Sequence, residues 1–254
     1  LPPGALHGNQ NAVSIGPPRP AFERPVMPAA LRLAVFDMDG TLIDSKIQII
    51  EAMGRGFASA GLPRPSDDAV LSIVGLSLPE AMRVLVPGAP EDLVADLAAA
   101  YKAGFVALRA ESGGEAQAPM YPGARAVLDR LARRDEVLLG VATGKAKRGL
   151  DHAIAAHDLH GIFHTQQTAD GHPSKPNPSM LLACMRDAGT EPRAGVMIGD
   201  TEFDIAMGRA AGMATVAVSW GYHPADRLRD ADVLIDHFDQ LDDALDALWK
   251  EAAA

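Results

Sequence analysis

The sequence has little of what defines several broad protein classes. It contains one cysteine, Cys184, and 5% aromatic residues, so an internal disulfide framework is excluded. No uninterrupted apolar stretch reaches the roughly 18 residues that a membrane helix needs. No segment with the basic and apolar regions of a secretory signal opens the sequence. These absences predict a protein of a reducing compartment, and we expect it in the cytoplasm.

Positive charge is also scarce. The 254 residues carry 33 acidic and 23 basic side chains, and the formal net charge is -10. Because nucleic-acid binding depends on clustered lysine and arginine, we expect no nucleic-acid partner, and we expect no membrane partner. The hydrophobic fraction of 48% is typical of a globular protein. The length suits one or two domains, and we expect a monomer or a homodimer.

Proline is concentrated in the first 30 residues, which also contain several glycines and show no periodic apolar pattern. This composition predicts an N-terminal tail outside the folded domain. The chain opens with Leu1, and Met27 lies just before the first strand candidate. We therefore expect residues 1–26 to be either an added segment or an upstream extension.

From residue 31 onward, short apolar runs alternate with helical patterns. Nearly continuous apolar runs are expected of strands that are buried on both faces of a parallel sheet. The predicted strands are Leu31–Phe36, Val137–Ala142, Gly195–Ile198, Ala214–Val218 and Val233–Ile235. The predicted helices of this part are Gly123–Arg134, Lys145–His157, Pro178–Ala188, Thr201–Ala211 and Phe238–Lys250. The alternation predicts an α/β fold with a doubly wound, Rossmann-like parallel sheet.

The segment after the first predicted strand contains helical patterns only. The predicted helices of this segment are Ile47–Ala60, Ser66–Ile73, Leu78–Val86 and Pro90–Glu111. They predict a small helical cap domain, residues 47–118, inserted into a core domain of residues 31–46 and 119–254. Residues 112–118 are predicted to be a linker that returns the chain to the core.

Four short polar segments follow the predicted strands or lie in loops between elements. They are Asp37-Met38-Asp39-Gly40-Thr41, Thr143-Gly144-Lys145, Lys175-Pro176-Asn177-Pro178 and Gly199-Asp200-Thr201-Glu202-Phe203-Asp204. In open α/β sheets, ligands bind at the carboxyl ends of the strands. We therefore expect these four segments to converge on one site.

Three carboxylates of these segments, Asp37, Asp39 and Asp200, would repel one another unless a cation lay among them. A small set of hard oxygen ligands suits Mg²⁺, which we predict as the cofactor. An ionised carboxylate at such a site can attack phosphorus and form an aspartyl-phosphate. Lys175, the Thr143 hydroxyl and nearby backbone N–H groups would then stabilise the phosphoryl oxygens. These residues predict phosphoryl-transfer chemistry.

The first polar segment and the residues after it, Leu42, Ile43, Asp44 and Ser45, resemble the first motif of the haloacid dehalogenase-like (HAD) hydrolases. The other three segments resemble the remaining motifs of that superfamily in the same order, and the resemblance extends over residues 31–248. The predicted helical insertion looks like the cap of the subgroup that contains phosphoglycolate phosphatases and β-phosphoglucomutases. The chain is thus similar to helical-cap, phosphoglycolate phosphatase-like HAD hydrolases.

The resemblance implies catalytic roles for the motif residues. Asp37 would be the nucleophile, and Asp39 would protonate the leaving group and then activate water. Thr143 and Lys175 would be the further catalytic residues. Asp204 would orient Lys175 or a water bound to the metal.

The resemblance also implies two binding sites. Mg²⁺ would be held by Asp37, by the backbone carbonyl of Asp39 and by Asp200. The residues expected to bind the phosphoryl group are Gly40, Thr143, Gly144 and Lys175.

Several functions stay open within this resemblance. Asp39 argues against a dehalogenase, which lacks the second aspartate because a halide leaving group needs no proton. A β-phosphoglucomutase-like mutase, a pyrophosphatase, a nucleotidase and a non-catalytic phosphate-binding protein are the alternatives. Leu78 lies near the place where sugar-phosphate mutases tend to carry a basic residue, which favours a small substrate. We expect a Mg²⁺-dependent phosphatase of a small phosphorylated metabolite, with phosphoglycolate favoured.

Substrate specificity is expected to come from the predicted cap. Its candidate cations for a substrate carboxylate are Lys46, Arg55 and Arg83. The segment Trp220-Gly221-Tyr222-His223 is interpreted as a turn after the fourth predicted strand.

Overall fold

The computed structural model describes residues 30–112 and 118–252, apart from the side chain of Ser112. Its strands are β1 (Arg32–Phe36), β2 (Val137–Thr143), β3 (Thr165–Thr168), β4 (Gly195–Gly199), β5 (Ala214–Val218) and β6 (Val233–Ile235). All neighbours pair in parallel, in the order β3-β2-β1-β4-β5-β6. The predicted α/β fold with a parallel, Rossmann-like sheet is confirmed. The predicted tail, residues 1–30, and linker, residues 112–118, lie almost wholly outside the described residues.

Each helical pattern in the sequence corresponds to a helix of the structure. The helices are α1 (Lys46–Ser59), α2 (Asp67–Leu71), α3 (Leu78–Leu85), α4 (Glu91–Ser112), α5 (Ala124–Leu131), α6 (Lys147–Ala156), α7 (Ser179–Ala188), α8 (Glu202–Ala210) and α9 (Leu241–Glu251). Within the described ranges, none combines the length and the apolar character that crossing a membrane requires.

The strand β1 lies in the middle of the sheet, between β2 and β4. Its alternate residues pack on opposite faces: Ala34 and Phe36 belong to one buried cluster, and Leu33 and Val35 belong to another. Helices cover both faces, which is why the strand has no polar position along these four residues. Since the strands are parallel, the chain leaves β1, β2 and β4 at the same edge of the sheet.

The strand β3 is absent from the sequence prediction. Its four residues are all polar, so no apolar run marks them. It lies at an edge of the sheet, where its side chains bond to a residue of α7. Asp187 accepts hydrogen bonds from Thr165 Oγ1 at 2.6 Å and from Gln167 Nε2 at 2.8 Å. An edge strand with polar partners of this kind escapes a search for apolar patterns.

The helices α1–α4 form a buried cluster of their own, which includes Met53, Met82 and Leu97. The helices α1 and α4 approach each other closely, because a Cβ at Gly56 would lie 3.1 Å from the backbone nitrogen of Tyr101. A separate cluster supports the predicted cap. The division of the chain into cap residues 47–118 and core residues on either side stays a prediction.

Candidate active site

Three strand ends and one loop carry the predicted site residues. Asp37 and Asp39 follow β1, Thr143 ends β2, Asp200 follows β4, and Lys175 lies in the loop before α7. All five residues are buried. The structure therefore gathers residues that are far apart in the sequence at one edge of the sheet.

Asp37 is the first residue after β1 and is 1% exposed. Its Oδ1 accepts a hydrogen bond from the Met38 backbone N–H at 2.6 Å, and its Oδ2 lies 2.9 Å from Lys175 Nζ. Burial raises the pKa of Asp37 to about 6, while the charge of Lys175 acts in the opposite direction. Although Lys175 is at ion-pair distance, no hydrogen bond of suitable geometry reaches Oδ2 from the described residues. The ammonium group of Lys175 is thus the charged partner of this buried oxygen.

Asp200 is fully buried at the end of β4. Its carboxylate accepts hydrogen bonds from Thr41 Oγ1 at 2.8 Å and from the Tyr222 backbone N–H at 2.9 Å. Burial raises the pKa of Asp200 well above its usual range, and the charges of Asp204 and Asp37 raise it further. The ionised form of this carboxylate therefore needs a nearby positive charge.

Lys175 lies between two carboxylates and is 2% exposed. Its Nζ is 2.6 Å from Asp204 Oδ1 and 2.9 Å from Asp37 Oδ2. Burial lowers the pKa of Lys175, but the two carboxylates outweigh burial and raise the pKa. Asp204 is held in place by Thr201, whose backbone N–H and Oγ1 both donate to Asp204 Oδ2. The lysine therefore stays charged.

Oxygen atoms of Asp37, Asp200 and Asp204 all lie within 4.8 Å of one another. In the described part of the chain, Lys175 is the cation that pairs with members of this cluster. Three carboxylates facing one ammonium group leave two negative charges, which a divalent cation would offset. The donor set of buried carboxylate oxygens therefore fits Mg²⁺.

The side chain of Asp39 does not belong to this cluster. Its Oδ1 accepts a hydrogen bond from Ser45 Oγ. Lys145 Nζ lies 2.6 Å and 2.7 Å from the two carboxylate oxygens. The expected role of the Asp39 carbonyl in metal binding stays a prediction. Lys145 belongs to one of the four polar segments expected at the site, but the sequence indicated no role for it.

The two predicted phosphate-binding residues at the end of β2 lie beneath the loop between α2 and α3. Thr143 is 1% exposed, and its Oγ1 accepts a hydrogen bond from the Lys145 backbone N–H at 3.3 Å. A Cβ at Gly144 would lie 2.6 Å from the carbonyl oxygen of Gly75 and 2.8 Å from that of Leu76. The helical segment, α1–α4 and the loops between them, therefore packs directly against the end of β2. The roles of both residues in phosphate binding stay predictions.

A cavity of about 380 Å³ lies between the strand ends and the helices α1–α4. Asp37, Asp39 and Thr143 form its floor, and apolar side chains such as Leu78 and Phe105 form part of its wall. The basic residues that line it are Lys102, Arg109, Lys145 and Arg148. The cavity therefore combines reactive carboxylates, apolar surface and positive charge.

The three cations expected to contact the substrate, Lys46, Arg55 and Arg83, do not line this cavity. Arg55 and Arg83 form ion pairs with glutamates on the surface of the helical segment, and Lys46 is exposed. Lys102 and Arg109 of α4 line the cavity instead. The helical pattern of α4 does not show which of its faces meets the core, so the sequence did not single them out.

The segment Trp220–His223, interpreted as a turn, encloses Asp200. A Cβ at Gly221 would lie 2.1 Å from Asp200 Cβ, and a Cβ at Gly40 would lie 2.2 Å from Asp200 Oδ2. Gly40 also has a φ of +85°, which favours glycine. Trp220 Nε1 donates a hydrogen bond to the Thr41 carbonyl oxygen at 3.1 Å. Two glycines thus permit the backbone to pack against a buried carboxylate on both sides.

The same segment connects the core to the helical segment. The Tyr222 hydroxyl oxygen accepts a hydrogen bond from the Ser45 backbone N–H at 2.9 Å. His223 Nδ1 accepts from the Glu202 backbone N–H at 3.2 Å, and its Nε2 donates to the Ser72 carbonyl oxygen at 3.2 Å. The glycine that follows β5 indicated a turn at this place in the sequence, but it did not indicate these contacts.

Comparisons with known proteins show the family to which the chain belongs. A model of the haloacid dehalogenase-like hydrolases matches residues 34–218. A probable phosphatase of Dickeya dadantii is 32% identical over 225 residues, which cover 86% of this chain and 95% of that protein. A phosphoglycolate phosphatase of Agrobacterium fabrum is 30% identical over 240 residues, which cover 87% and 94% of the two chains. A β-phosphoglucomutase structure from Clostridium difficile has a similar fold, with a TM-score of 0.73, 18% identity, and coverage of 87% of this chain and 98% of that chain. The chain therefore belongs to the haloacid dehalogenase-like hydrolase family, among its phosphoglycolate phosphatase-like members.

Proposed function

We propose that the chain hydrolyses a small phosphomonoester through an aspartyl-phosphate on Asp37, with Mg²⁺, and that phosphoglycolate is the favoured substrate. That the chain is a phosphatase follows from its family and from the relatives named as phosphatases. The single observation that carries the mechanism is the position of Asp37. It lines the cavity, and its Oδ2 lies beside the ammonium group of Lys175.

In the first step, a carboxylate oxygen of Asp37 attacks phosphorus while the bond from phosphorus to the leaving oxygen breaks. Asp39 donates a proton to that oxygen, which leaves as an alcohol. In the second step, Asp39 takes a proton from water as the water oxygen attacks the aspartyl-phosphate. Phosphate is released, and Asp37 and Asp39 return to their starting states.

Ser45 and Lys145 hold the carboxylate of Asp39 at the cavity floor, which supports its part as the base of the second step. Lys175, Thr143 and the backbone near Gly40 and Gly144 would bind the phosphoryl oxygens. The charge of Lys175 is secured by Asp204, so it is present whenever a phosphoryl group arrives. Preorganised donors of this kind stabilise the charge that develops in the transition state.

Mg²⁺ would be held by Asp37, Asp200 and the backbone carbonyl of Asp39, and when bound it would offset the charge of the phosphoryl oxygens. The excess of buried carboxylates over cations at this position supports the choice of a divalent metal. The close packing of Gly144 against Gly75 and Leu76 supports the exclusion of water from the site.

Leu78 supports a small substrate, since it presents an apolar side chain to the cavity rather than a partner for sugar hydroxyl groups. A β-phosphoglucomutase-like mutase remains the alternative, because both aspartates are present. A cytoplasmic location and a monomeric or homodimeric state stay predictions.

Phosphate release from phosphoglycolate, glucose 6-phosphate and pyrophosphate tests the proposal. We expect kcat/KM for phosphoglycolate to exceed that for the hexose phosphate by at least about tenfold. EDTA should abolish release, and Mg²⁺ should restore it. Preference for the hexose phosphate or pyrophosphate would overturn the substrate, and full activity in EDTA would overturn the metal requirement. Quenched mass spectrometry should find phosphate on the peptide that carries Asp37.

A further inference from the structure

Two arginines of the cavity wall lack acidic partners. Arg109 lies on α4 and Arg148 lies on α6, and both line the cavity. No carboxylate of residues 30–112 and 118–252 forms an ion pair with either of them, whereas Arg55, Arg83 and Arg125 are all paired with acidic residues. Other arginines of the described residues, such as Arg133 and Arg186, also form no ion pair, but Arg109 and Arg148 are the two that line the cavity.

The two guanidinium groups are close enough to repel each other. Burial lowers the pKa of Arg109, and the positive charge of Arg148 lowers it further, while Asp39 acts in the opposite direction. Two like charges on one cavity cost free energy unless an anion is bound between them. The protein therefore holds a site of positive potential next to the floor of the cavity.

A continuous row of side chains joins this site to the reaction centre. Lys145 Nζ contacts both oxygens of Asp39 and lies 5.5 Å from the centroid of the Phe105 ring. The guanidinium carbon of Arg109 lies 5.3 Å from the centroid of the same ring. Since Asp39 is the proposed proton donor to the leaving oxygen, this row begins where the leaving group of the substrate would lie.

We propose that Arg109 and Arg148 bind a second anionic group, carried by the leaving-group part of the phosphomonoester substrate. The proposal rests on the proposed function and extends it to a substrate class: phosphate esters whose alcohol also bears a carboxylate or a second phosphate. Arginine suits both groups, because its planar guanidinium donates paired hydrogen bonds to carboxylate or phosphate oxygens. The apolar wall beside the arginines would contact the carbon skeleton between the two anions.

The test compares substrates that differ in the second charge. Phosphoglycolate carries a carboxylate, ethyl phosphate has the same two carbons without it, and 1,3-propanediol bisphosphate carries a second phosphate. The variants are Arg109→Ala, Arg148→Ala and the double variant. Lys147→Ala is the matched control on α6, because the Lys147 side chain pairs with Asp151. Arg83→Ala is the control in the helical segment.

Each single arginine variant should lose about 10- to 100-fold in kcat/KM for the doubly anionic substrates, mainly through KM, as expected for lost hydrogen bonds to a charged group. For ethyl phosphate the change should stay within about threefold, and both controls should resemble the wild type. Arg109→Lys and Arg148→Lys should recover part of the loss, since the charge remains. A loss confined to the bisphosphate would identify the second anion as phosphate, and a loss confined to phosphoglycolate would identify it as carboxylate.

Equal losses with ethyl phosphate and phosphoglycolate would overturn the subsite, and so would unchanged kcat/KM in the double variant. These outcomes differ from failure of the proposed function, in which the wild-type enzyme with Mg²⁺ would release phosphate from none of the three substrates. Thermal unfolding of each variant separates a lost contact from a lost fold.

Discussion

The reaction centre and the cavity wall above it are built in opposite ways. At the centre, Asp37, Lys175, Asp200 and Asp204 are each 2% exposed or less. Lys175 pairs with Asp37 and Asp204, and Asp200 accepts hydrogen bonds from Thr41 and Tyr222. On the wall, Arg109 is half-buried, Arg148 is exposed, and neither has an acidic partner among the described residues. The charged groups of the first region have partners within the protein, whereas the two arginines of the second have no acidic partner among the described residues.

This difference follows from the cost of burying charge. A charge removed from water needs partners that stay in place, so ion pairs or hydrogen bonds hold each carboxylate of the centre. A partly exposed arginine keeps much of its hydration, so it needs no acidic partner within the protein and can bind a ligand instead. We therefore expect substitutions at the centre to affect phosphoryl transfer with every substrate, and substitutions on the wall to affect the choice of substrate.

The largest effect is expected when the centre itself is broken. An amide is a poor nucleophile, so Asp37→Asn should reduce phosphate release by about 10⁴-fold or more with every substrate. The variant should still fold, because burial disfavours the charge that it removes, as the pKa of about 6 for Asp37 indicates. Thermal unfolding in EDTA should show a midpoint no lower than that of the wild type. Near-normal turnover would contradict nucleophilic catalysis by Asp37.

Asp39 lies where the two regions meet, and its replacement sharpens the comparison. Asp39→Asn should cost about 10²- to 10⁴-fold in kcat, the range typical of a lost general acid or base. The loss should be smaller with p-nitrophenyl phosphate than with an alkyl phosphate, because nitrophenolate leaves without a proton. Parallel measurements of kcat on the two substrates decide the point. Equal losses would show that Asp39 does not protonate the leaving group.

The close contact between Gly144, at the end of β2, and the loop above it can be tested by adding a single methyl group. A Cβ at Gly144 would lie 2.6 Å from the Gly75 carbonyl oxygen, whereas a Cβ at Gly171 would have nothing within 4 Å. Gly144→Ala should therefore displace the loop over the site and lower kcat/KM by about tenfold or more. Gly171→Ala is the control and should stay within about twofold of wild type. Similar activity in the two variants would show that a shift of the loop at Gly144 does not affect catalysis.

The smallest expected effect concerns His223, which is hydrogen-bonded to the backbones of Glu202 at the start of α8 and Ser72 at the end of α2. Burial lowers the pKa of His223 below its usual value near 6.5, so the folded state favours the neutral ring. The stability that depends on the neutral ring is present above pH 6.5 and is lost as the pH falls through the folded-state pKa.

His223→Gln should remove this contribution to the pH dependence and should itself cost about 0.5–1.5 kcal/mol, the usual value of a hydrogen bond. Thermal unfolding of both proteins between pH 7.5 and about pH 5 measures the difference. If the two curves stayed parallel across this range, His223 would not be the titrating group.

Much of the reaction centre was predictable because its information is local. Asp37 and Asp200 stand directly after apolar runs, and parallel strands bring such positions to one edge. The helices were predictable for a related reason, since caps and apolar periodicity lie within a few residues of one another. The polar strand β3 was not, because its partner Asp187 lies on α7.

The cavity wall depends on relations that no local pattern contains. Arg109 becomes a cavity residue because α4 turns one particular face toward the strand ends. Arg83 lies outside the cavity, where it pairs with Glu80 and Glu91. The same holds for Tyr222, whose hydroxyl and backbone contact residues from two distant loops. Such positions follow from packing, which the sequence encodes globally.

The segment Trp220–His223 has a consequence for the order in which the site comes into being during translation. Its contacts to Thr41 and Ser45 join residues 179 and 177 positions apart. The first motif therefore emerges from the ribosome long before the backbone that encloses Asp200 and anchors Ser45. Until β5 and the residues after it have been synthesised, the nascent chain holds its aspartates without the enclosure that they have in the folded enzyme. Reactivity toward phosphate esters should accordingly be a property of the nearly complete chain, acquired in one late step.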